Sequence, residues 1–265
     1  MKYLNLSAFI ILLSLTTCNA QNNEHQNNND GQGEGDTHVI ENKKPIKNRP
    51  FNPKNLKLLS EFIDTLLLDR HDVEIGIFLK DDSLNTSREI EIVFSGSSSI
   101  RRWNTLETDM DKISVLNRGF GGSTIPDAIY FADILFFKHN PSKIVFYSGD
   151  NDVAWLKSST EKISKSYKLL FKLLRSELPE TKIFILSVKP SPGRRQFWPQ
   201  MQEVNQFLAT FCQENNKCEF IDVSSCLLDS SGNFNKKLFN NDNIHLNEKG
   251  YHLWADIVFQ AVNKN

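Results

Sequence analysis

From residue 90 onward the chain alternates between two hydrophobic rhythms, and this alternation limits the fold more than any other feature. Short apolar runs occur at Glu91–Phe94, Ile113–Leu116, Ile144–Tyr147, Ile183–Val188 and Phe220–Val223. Such runs, short and rich in β-branched and aromatic residues, read as strands buried on both faces. Between and after them lie Ile125–Phe137, Glu161–Ser176, Phe197–Phe211 and Asn247–Val262, where apolar residues recur at helical spacing. Strands joined through helices are parallel, because a parallel pair needs a long crossover. The expected class is therefore α/β, a five-stranded parallel sheet between two helical layers. Leu56–Leu68 also has helical spacing, and Glu74–Lys80 fits either helix or strand. No internal repeat and no second domain boundary appear, so residues 51–265 are expected to form one domain.

The first 50 residues follow other rules. Lys2 precedes a mostly apolar run, Leu4–Leu15, which is too short to span a bilayer and fits the hydrophobic region of a signal peptide over residues 1–20. Two exits are readable. Cys18-Asn19-Ala20 suits a signal-peptidase cut, and Leu15-Thr16-Thr17-Cys18 resembles a bacterial lipobox, in which Cys18 would be lipidated. Residues 21–50 are dominated by Asn, Gln, Gly and charged residues, and lack the apolar surface to offset ordering entropy. They read as a disordered polar tether. The expected location is outside the cell membrane, as a cell-envelope lipoprotein held through Cys18 or as a secreted protein. A formal net charge of −1, without a basic patch, argues against a nucleic-acid partner. Of the cysteines past Cys18, Cys212 and Cys218 flank a polar loop and could pair in an oxidising compartment, with three unpaired thiols as the alternative.

Four segments carry chemistry. Phe94-Ser95-Gly96-Ser97-Ser98-Ser99-Ile100 places hydroxyls directly after a strand, with Gly96 to turn the backbone. By chemistry alone Ser97, Ser98 and Ser99 all qualify as a nucleophile, and a serine-rich helix cap is the plain alternative. Asn117-Arg118-Gly119-Phe120-Gly121-Gly122-Ser123 supplies backbone N–H groups that no side chain shields; otherwise it is a tight turn. Gly149-Asp150-Asn151-Asp152 supplies the Asn151 amide, or else a turn stabilised by its own side chains. Its two carboxylates lack a partnered His cluster, which disfavours a metal site. Asp242-Asn243-Ile244-His245 supplies a base with a carboxylate three residues before it, a spacing that lets one turn fix the imidazole tautomer. The first three segments each follow an expected strand at its carboxyl end, where ligands bind in such sheets.

In order and residue type these segments resemble the SGNH hydrolases, also called the GDSL esterase/lipase family, over roughly residues 74–262. The Gly-Ser-Ser-Ser-Ile-Arg stretch looks like one branch of it. The resemblance implies a three-layer flavodoxin-like fold and hydrolysis of carboxylic esters without metal or cofactor. It aligns Gly96-Ser97-Ser98 with the family's Gly-Asp-Ser block, which selects Ser98 as the nucleophile, with Ser97 in place of the usual Asp. It also selects Gly122 rather than Gly121, so the expected oxyanion donors are the Ser98 N–H, the Gly122 N–H and Asn151. His245 and Asp242 complete the triad, and the carboxylate is expected to hold the His245 pKa at or above about 6.5. Lys189–Arg195 is expected to overhang the site, either as a ligand contact for an anionic or hydroxyl-rich substrate or as a solvated loop. Trp103 and Trp198 could stack on a sugar or acyl group, or simply pack. The expected partner is a small-molecule or glycan ester, with short acyl groups favoured. Acyl transfer through the same intermediate and glycan binding without catalysis are the competing functions.

Overall fold

The computed structural model describes Asn55, Leu59 and residues 68–264. The signal peptide read over residues 1–20 with Cys18, and the tether over 21–50, lie outside the described residues, as does most of the helix read over Leu56–Leu68.

A short 3-10 turn (Leu68–His71) leads into helix α1 (Asp72–Leu84), so the ambiguous stretch is helical. Strand β1 (Ile92–Gly96) follows, then the short helices α2 (Ser98–Arg101) and α3 (Leu106–Asp109), strand β2 (Val115–Gly119), α4 (Ile125–Tyr130) and α5 (Ala132–Leu135). Strand β3 (Lys143–Tyr147) leads into α6 (Asp150–Ala154) and α7 (Thr160–Glu177). Strand β4 (Lys182–Leu186), α8 (Trp198–Glu214), β5 (Cys218–Ile221) and α9 (Glu248–Val262) complete the order. All strand pairs are parallel, in the order β2-β1-β3-β4-β5. Among the described residues no helix is long and apolar enough to cross a membrane.

The central residues of β1, β3 and β4 are apolar because both faces are covered. Val93, Ile144, Phe146, Ile183 and Ile185 join one core, with residues of α1, α4, α5, α7 and α8. Their neighbours Ile92, Phe94, Val145, Tyr147, Phe184 and Leu186 point the other way, into a second core closed by Trp103, Tyr251 and Trp254. Period-two alternation thus divides a continuous apolar run between two cores.

Two differences from the sequence reading have local causes. The helix expected over Ile125–Phe137 is broken at Phe131, whose ring is wedged edge-on between Phe120 and Tyr130. Its start is well specified, by Pro126 and by a Thr124–Asp127 capping box. Strands β1 and β2 continue past their last apolar residue to pair Gly96 with Gly119. Gly96 has φ +136°, and a Cβ there would lie 1.8 Å from the Tyr147 carbonyl oxygen. Only glycine allows the chain to pass so close to β3 before turning into α2. At the far end of the sheet, α8 and β5 bring Cys212 and Cys218 together as free thiols with sulfurs 2.7 Å apart.

Candidate active site

Strand order reverses between β1 and β3, and the crevice beyond their carboxyl ends is where doubly wound sheets take ligands. The chain puts Ser98 after β1, Gly122 after β2 and Asn151 after β3, all on this crevice. Of the three candidate serines, Ser97 and Ser99 are buried, whereas Ser98 is half-exposed and lines a cavity of about 320 Å³. Of the three, Ser98 is the one in the cavity lining. Ser98 is also the first residue of α2, where a backbone N–H has no acceptor within its own helix.

His245 reaches Ser98 from a loop 147 residues away in sequence. Its Nε2 lies 2.9 Å from Ser98 Oγ and its Nδ1 lies 2.6 Å from Asp242 Oδ2. The other Asp242 oxygen accepts from the backbone N–H groups of Ile244 and His245, each at 2.9 Å. One tight turn, with Asn243 at φ +57°, therefore fixes carboxylate and imidazole together. The segment after β4 holds this turn from behind. Lys189, fully buried, donates from Nζ to the Ile244 carbonyl at 2.7 Å, and the Gly193 N–H donates to the Asn243 carbonyl at 2.8 Å.

Burial holds the His245 pKa below its ordinary value. The Asp242 hydrogen bond opposes that shift, and the positive charge of Arg102 adds to it. This corrects the expectation of a raised value, because desolvation of the imidazolium outweighs the carboxylate. For Asp242 burial also acts against the charged form. Donation from the His245 backbone and ring and from the Ile244 N–H overcomes it, so the pKa falls to about 2.

Gly122 (φ +70°) lines the opposite wall, its carbonyl accepting from Arg70 Nη2 at 2.8 Å. Beside it the buried Asn151 side chain is held at both ends. Its Nδ2 donates to the Ser123 carbonyl at 2.9 Å, and its Oδ1 accepts from Arg194 Nη2 at 2.9 Å. Arg194 Nη1 in turn lies 2.9 Å from a carboxylate oxygen of buried Asp150. Asp152 is buried behind this pair and accepts from the Ile125 N–H at 3.2 Å. Burial, with Asp127 and Asp150 nearby, lifts its pKa to about 7.

For Trp103 and Trp198 the structure takes the packing alternative. Trp103 is buried, stacked on Tyr251 and edge-on to Trp254, so it packs the core. Trp198 packs against Phe234 and lies outside the cavity lining. The aromatic wall is Trp155, 56% exposed, with the Arg70 guanidinium over its ring. Its signal was present: it follows Asn151 by one helical turn, which puts both on the same side of α6. Arg101 and Arg102, one turn after Ser98, reach the cavity for the same reason. In Lys189–Arg195 the two basic groups nearest the site are engaged by the protein itself, Lys189 with the base loop and Arg194 with Asn151 and Asp150.

The arrangement is a hydroxyl hydrogen-bonded to an imidazole that a carboxylate orients, with Gly122 and the Asn151 amide in the lining of the same small cavity. That is equipment for attack on a carbonyl carbon. The family model for GDSL-like lipases and acylhydrolases matches residues 89–253 of this chain. The chain belongs to that family. It is thus a carboxylic ester hydrolase of the GDSL type, with the SGNH fold. Among curated proteins none matches the sequence.

Solved structures share the fold of this GDSL hydrolase at low identity. A Streptococcus pneumonia protein provisionally named a platelet activating factor is 20% identical, with a TM-score of 0.66 over 80% of this chain and 99% of that one. A GDSL-like lipase from Bacteroides thetaiotaomicron is 19% identical, with a TM-score of 0.58 over 71% of this chain and 96% of that one. An acetyl xylan esterase is 21% identical, with a TM-score of 0.56 over 65% of this chain and 100% of that one.

Proposed function

We propose that this GDSL hydrolase is an exported esterase that removes short acyl groups, acetyl first, from glycans, using Ser98, His245 and Asp242. The observation that carries the reading is the continuous relay from Ser98 Oγ through His245 to Asp242, 2.9 Å and then 2.6 Å. In this reading His245 Nε2 takes the Ser98 proton as Oγ attacks the ester carbonyl. Asp242 keeps the other ring nitrogen protonated and stabilises the imidazolium. The carbonyl oxygen, now negative, accepts from the N–H groups of Ser98 and Gly122 and from Asn151 Nδ2. Each such donor contributes on the order of 3 kcal/mol. His245 then protonates the leaving alcohol, activates water against the acyl-serine, and returns the proton to Ser98.

The short-acyl assignment is supported by the cavity, whose lining has one large apolar group, Trp155, among arginines, glycines and polar side chains. A long alkyl chain would bury little there. The acetyl xylan esterase of the same fold acts on an acetylated glycan, in keeping with this choice. Export rests on the Leu4–Leu15 run, and lipidation of Cys18 would hold the enzyme at the membrane surface.

Nitrophenyl esters of rising acyl length test the reading. Acetate should turn over fastest, and Ser98→Ala should abolish the activity while Ser97→Ala and Ser99→Ala retain much of it. A fluorophosphonate probe should label Ser98. An active Ser98→Ala protein would remove the assignment of the nucleophile, and preference for long acyl chains would remove the glycan assignment.

A further inference from the structure

A second cavity, of about 430 Å³, adjoins the one at Ser98, and Arg102 lines both. We propose that this second cavity is the subsite for the sugar that carries the ester, on the alcohol side of the scissile bond. The proposal rests on the esterase reading above and adds the location and chemistry of the alcohol site.

Position is the first argument. The leaving oxygen must take its proton from His245 Nε2, so the alcohol lies on the His245 side of Ser98 and away from the Asn151–Gly122 wall. The second cavity is built on that side. Asn104 and Thr105 follow the Ser98 helix, whereas Leu246, Asn247 and Glu248 follow His245 directly. An alcohol leaving past His245 therefore faces Arg102 and the space beyond it.

The lining is the second argument. Asn247 and Asn240 are largely committed to the fold. Asn247 Nδ2 donates to the Lys237 and Phe239 carbonyls and its Oδ1 accepts from the Gly250 N–H, while Asn240 Nδ2 donates to the Leu246 carbonyl. They form a stiff polar wall. In front of it Asn104, Glu248 and Arg102 are exposed, and Arg102 approaches Asp242 at 4.0 Å. These three present an amide, a carboxylate and a guanidinium to one space. Their charges are opposite in sign, so the site favours neither an anion nor a cation. Donors and acceptors mixed in this way suit a neutral ligand with adjacent hydroxyls. Leu246 and Tyr251 are the apolar residues of the lining, both nearly buried, and Tyr251 donates its hydroxyl to the Ser99 carbonyl; the remaining apolar surface is that of the carbon stems of the polar side chains, which suits the C–H faces of a sugar ring.

Asn104→Phe, which fills the space, and Glu248→Gln, which removes the charged acceptor, test the proposal; both residues are exposed, so the fold tolerates the changes. For each variant kcat/KM is measured on an acetylated xylotetraose and on nitrophenyl acetate. The ratio of the two should fall about tenfold in Asn104→Phe, the scale of one or two lost hydrogen bonds to a neutral ligand, and less in Glu248→Gln. Calorimetric titration of the acetylated xylotetraose into Ser98→Ala and into Ser98→Ala/Asn104→Phe should show the same loss in affinity. An active wild-type enzyme whose substrate ratio and affinity ignore both substitutions overturns the subsite alone. A wild-type protein inactive on both esters overturns the esterase reading and the subsite with it.

Discussion

Replacing Arg194 with methionine should separate the orientation of Asn151 from its presence. The amide is held by an acceptor at one end, the Ser123 carbonyl, and by a donor at the other, the Arg194 guanidinium. Turning it over would set its NH₂ against the guanidinium and its oxygen against a carbonyl. The pair therefore fixes which end of the amide carries Nδ2, whose second hydrogen is the one the proposed mechanism assigns to the oxyanion. Losing a hydrogen bond to a charged donor costs ~1.5–3 kcal/mol, and losing an oxyanion donor costs ~3 kcal/mol. Arg194→Met should thus lower kcat by ~10- to 100-fold, with Asn151→Ala as the upper limit. A second effect must be removed, because Asp150, 4% exposed in its side chain, loses its partner and the fold is destabilised. Breaking such a pair costs up to ~3–5 kcal/mol, less here because Arg194 is 17% exposed. The assay is therefore kcat and KM on nitrophenyl acetate, with thermal unfolding, for Arg194→Met, Asn151→Ala, the pair together, and Asp150→Asn/Arg194→Met. The Asp150→Asn background should recover stability without recovering kcat, and the Asn151 double variant should be little worse than Asn151→Ala. Recovery of kcat along with stability, or losses that multiply, would refute the argument.

Other consequences are as direct. His245 must be neutral to accept the Ser98 proton, and its pKa is held below the usual 6.5, so activity should persist at pH 6.5 and fall only as pH drops further. Arg102→Gln removes a charge that lowers this pKa and should move the acid limb to higher pH; a limb above 6.5 in the wild-type enzyme would contradict the burial argument. His245→Ala should cost at least as much activity as Asp242→Ala, and the double variant little more than His245→Ala, because the two act as one unit; independent losses in steady-state kinetics would place the base elsewhere. Gly96→Ala should destabilise by at least ~1–3 kcal/mol from backbone strain alone, with the Tyr147 carbonyl clash in addition; an unchanged unfolding temperature would refute the close approach of β1 to β3.

What could be read from the chain was what local pattern encodes. The five strands announced themselves because burial on both faces leaves no polar residue at positions such as Ile92–Phe94 or Ile144–Tyr147. Asp242 and His245 were legible as a pair because their contact is made within one turn. The Ser98–His245 contact was legible only through the order of the segments, since it joins residues 147 apart. Side-chain burial was not legible. Trp103 and Trp155 both follow a candidate segment by a helical turn or so, yet one closes a core and the other walls the cavity. Nor could charge reveal the task of Arg194, whose partners belong to another strand's loop, or the depression of the His245 pKa, which is caused by desolvation. The break at Phe131 involves the Phe120 ring, which the turn after β2 brings against it.

Cys212 and Cys218 meet where β5 begins, at the edge of the sheet away from the carboxyl ends that carry Ser98 and Asn151. A thiol pair this close records the chemical history of its molecule. In a reducing cytoplasm both hydrogens stay on sulfur; in an oxidising envelope they are lost and the short Cys212–Cys218 loop closes. Alkylation and mass measurement of the peptide spanning residues 212–218, taken from the native cell, would therefore report the route the protein has travelled. Because the pair lies at the opposite edge from the reacting groups, that record can be written without altering the rate at which an ester is cleaved. An open pair in protein recovered from the cell envelope, or a change in turnover on closing it, would contradict this reading.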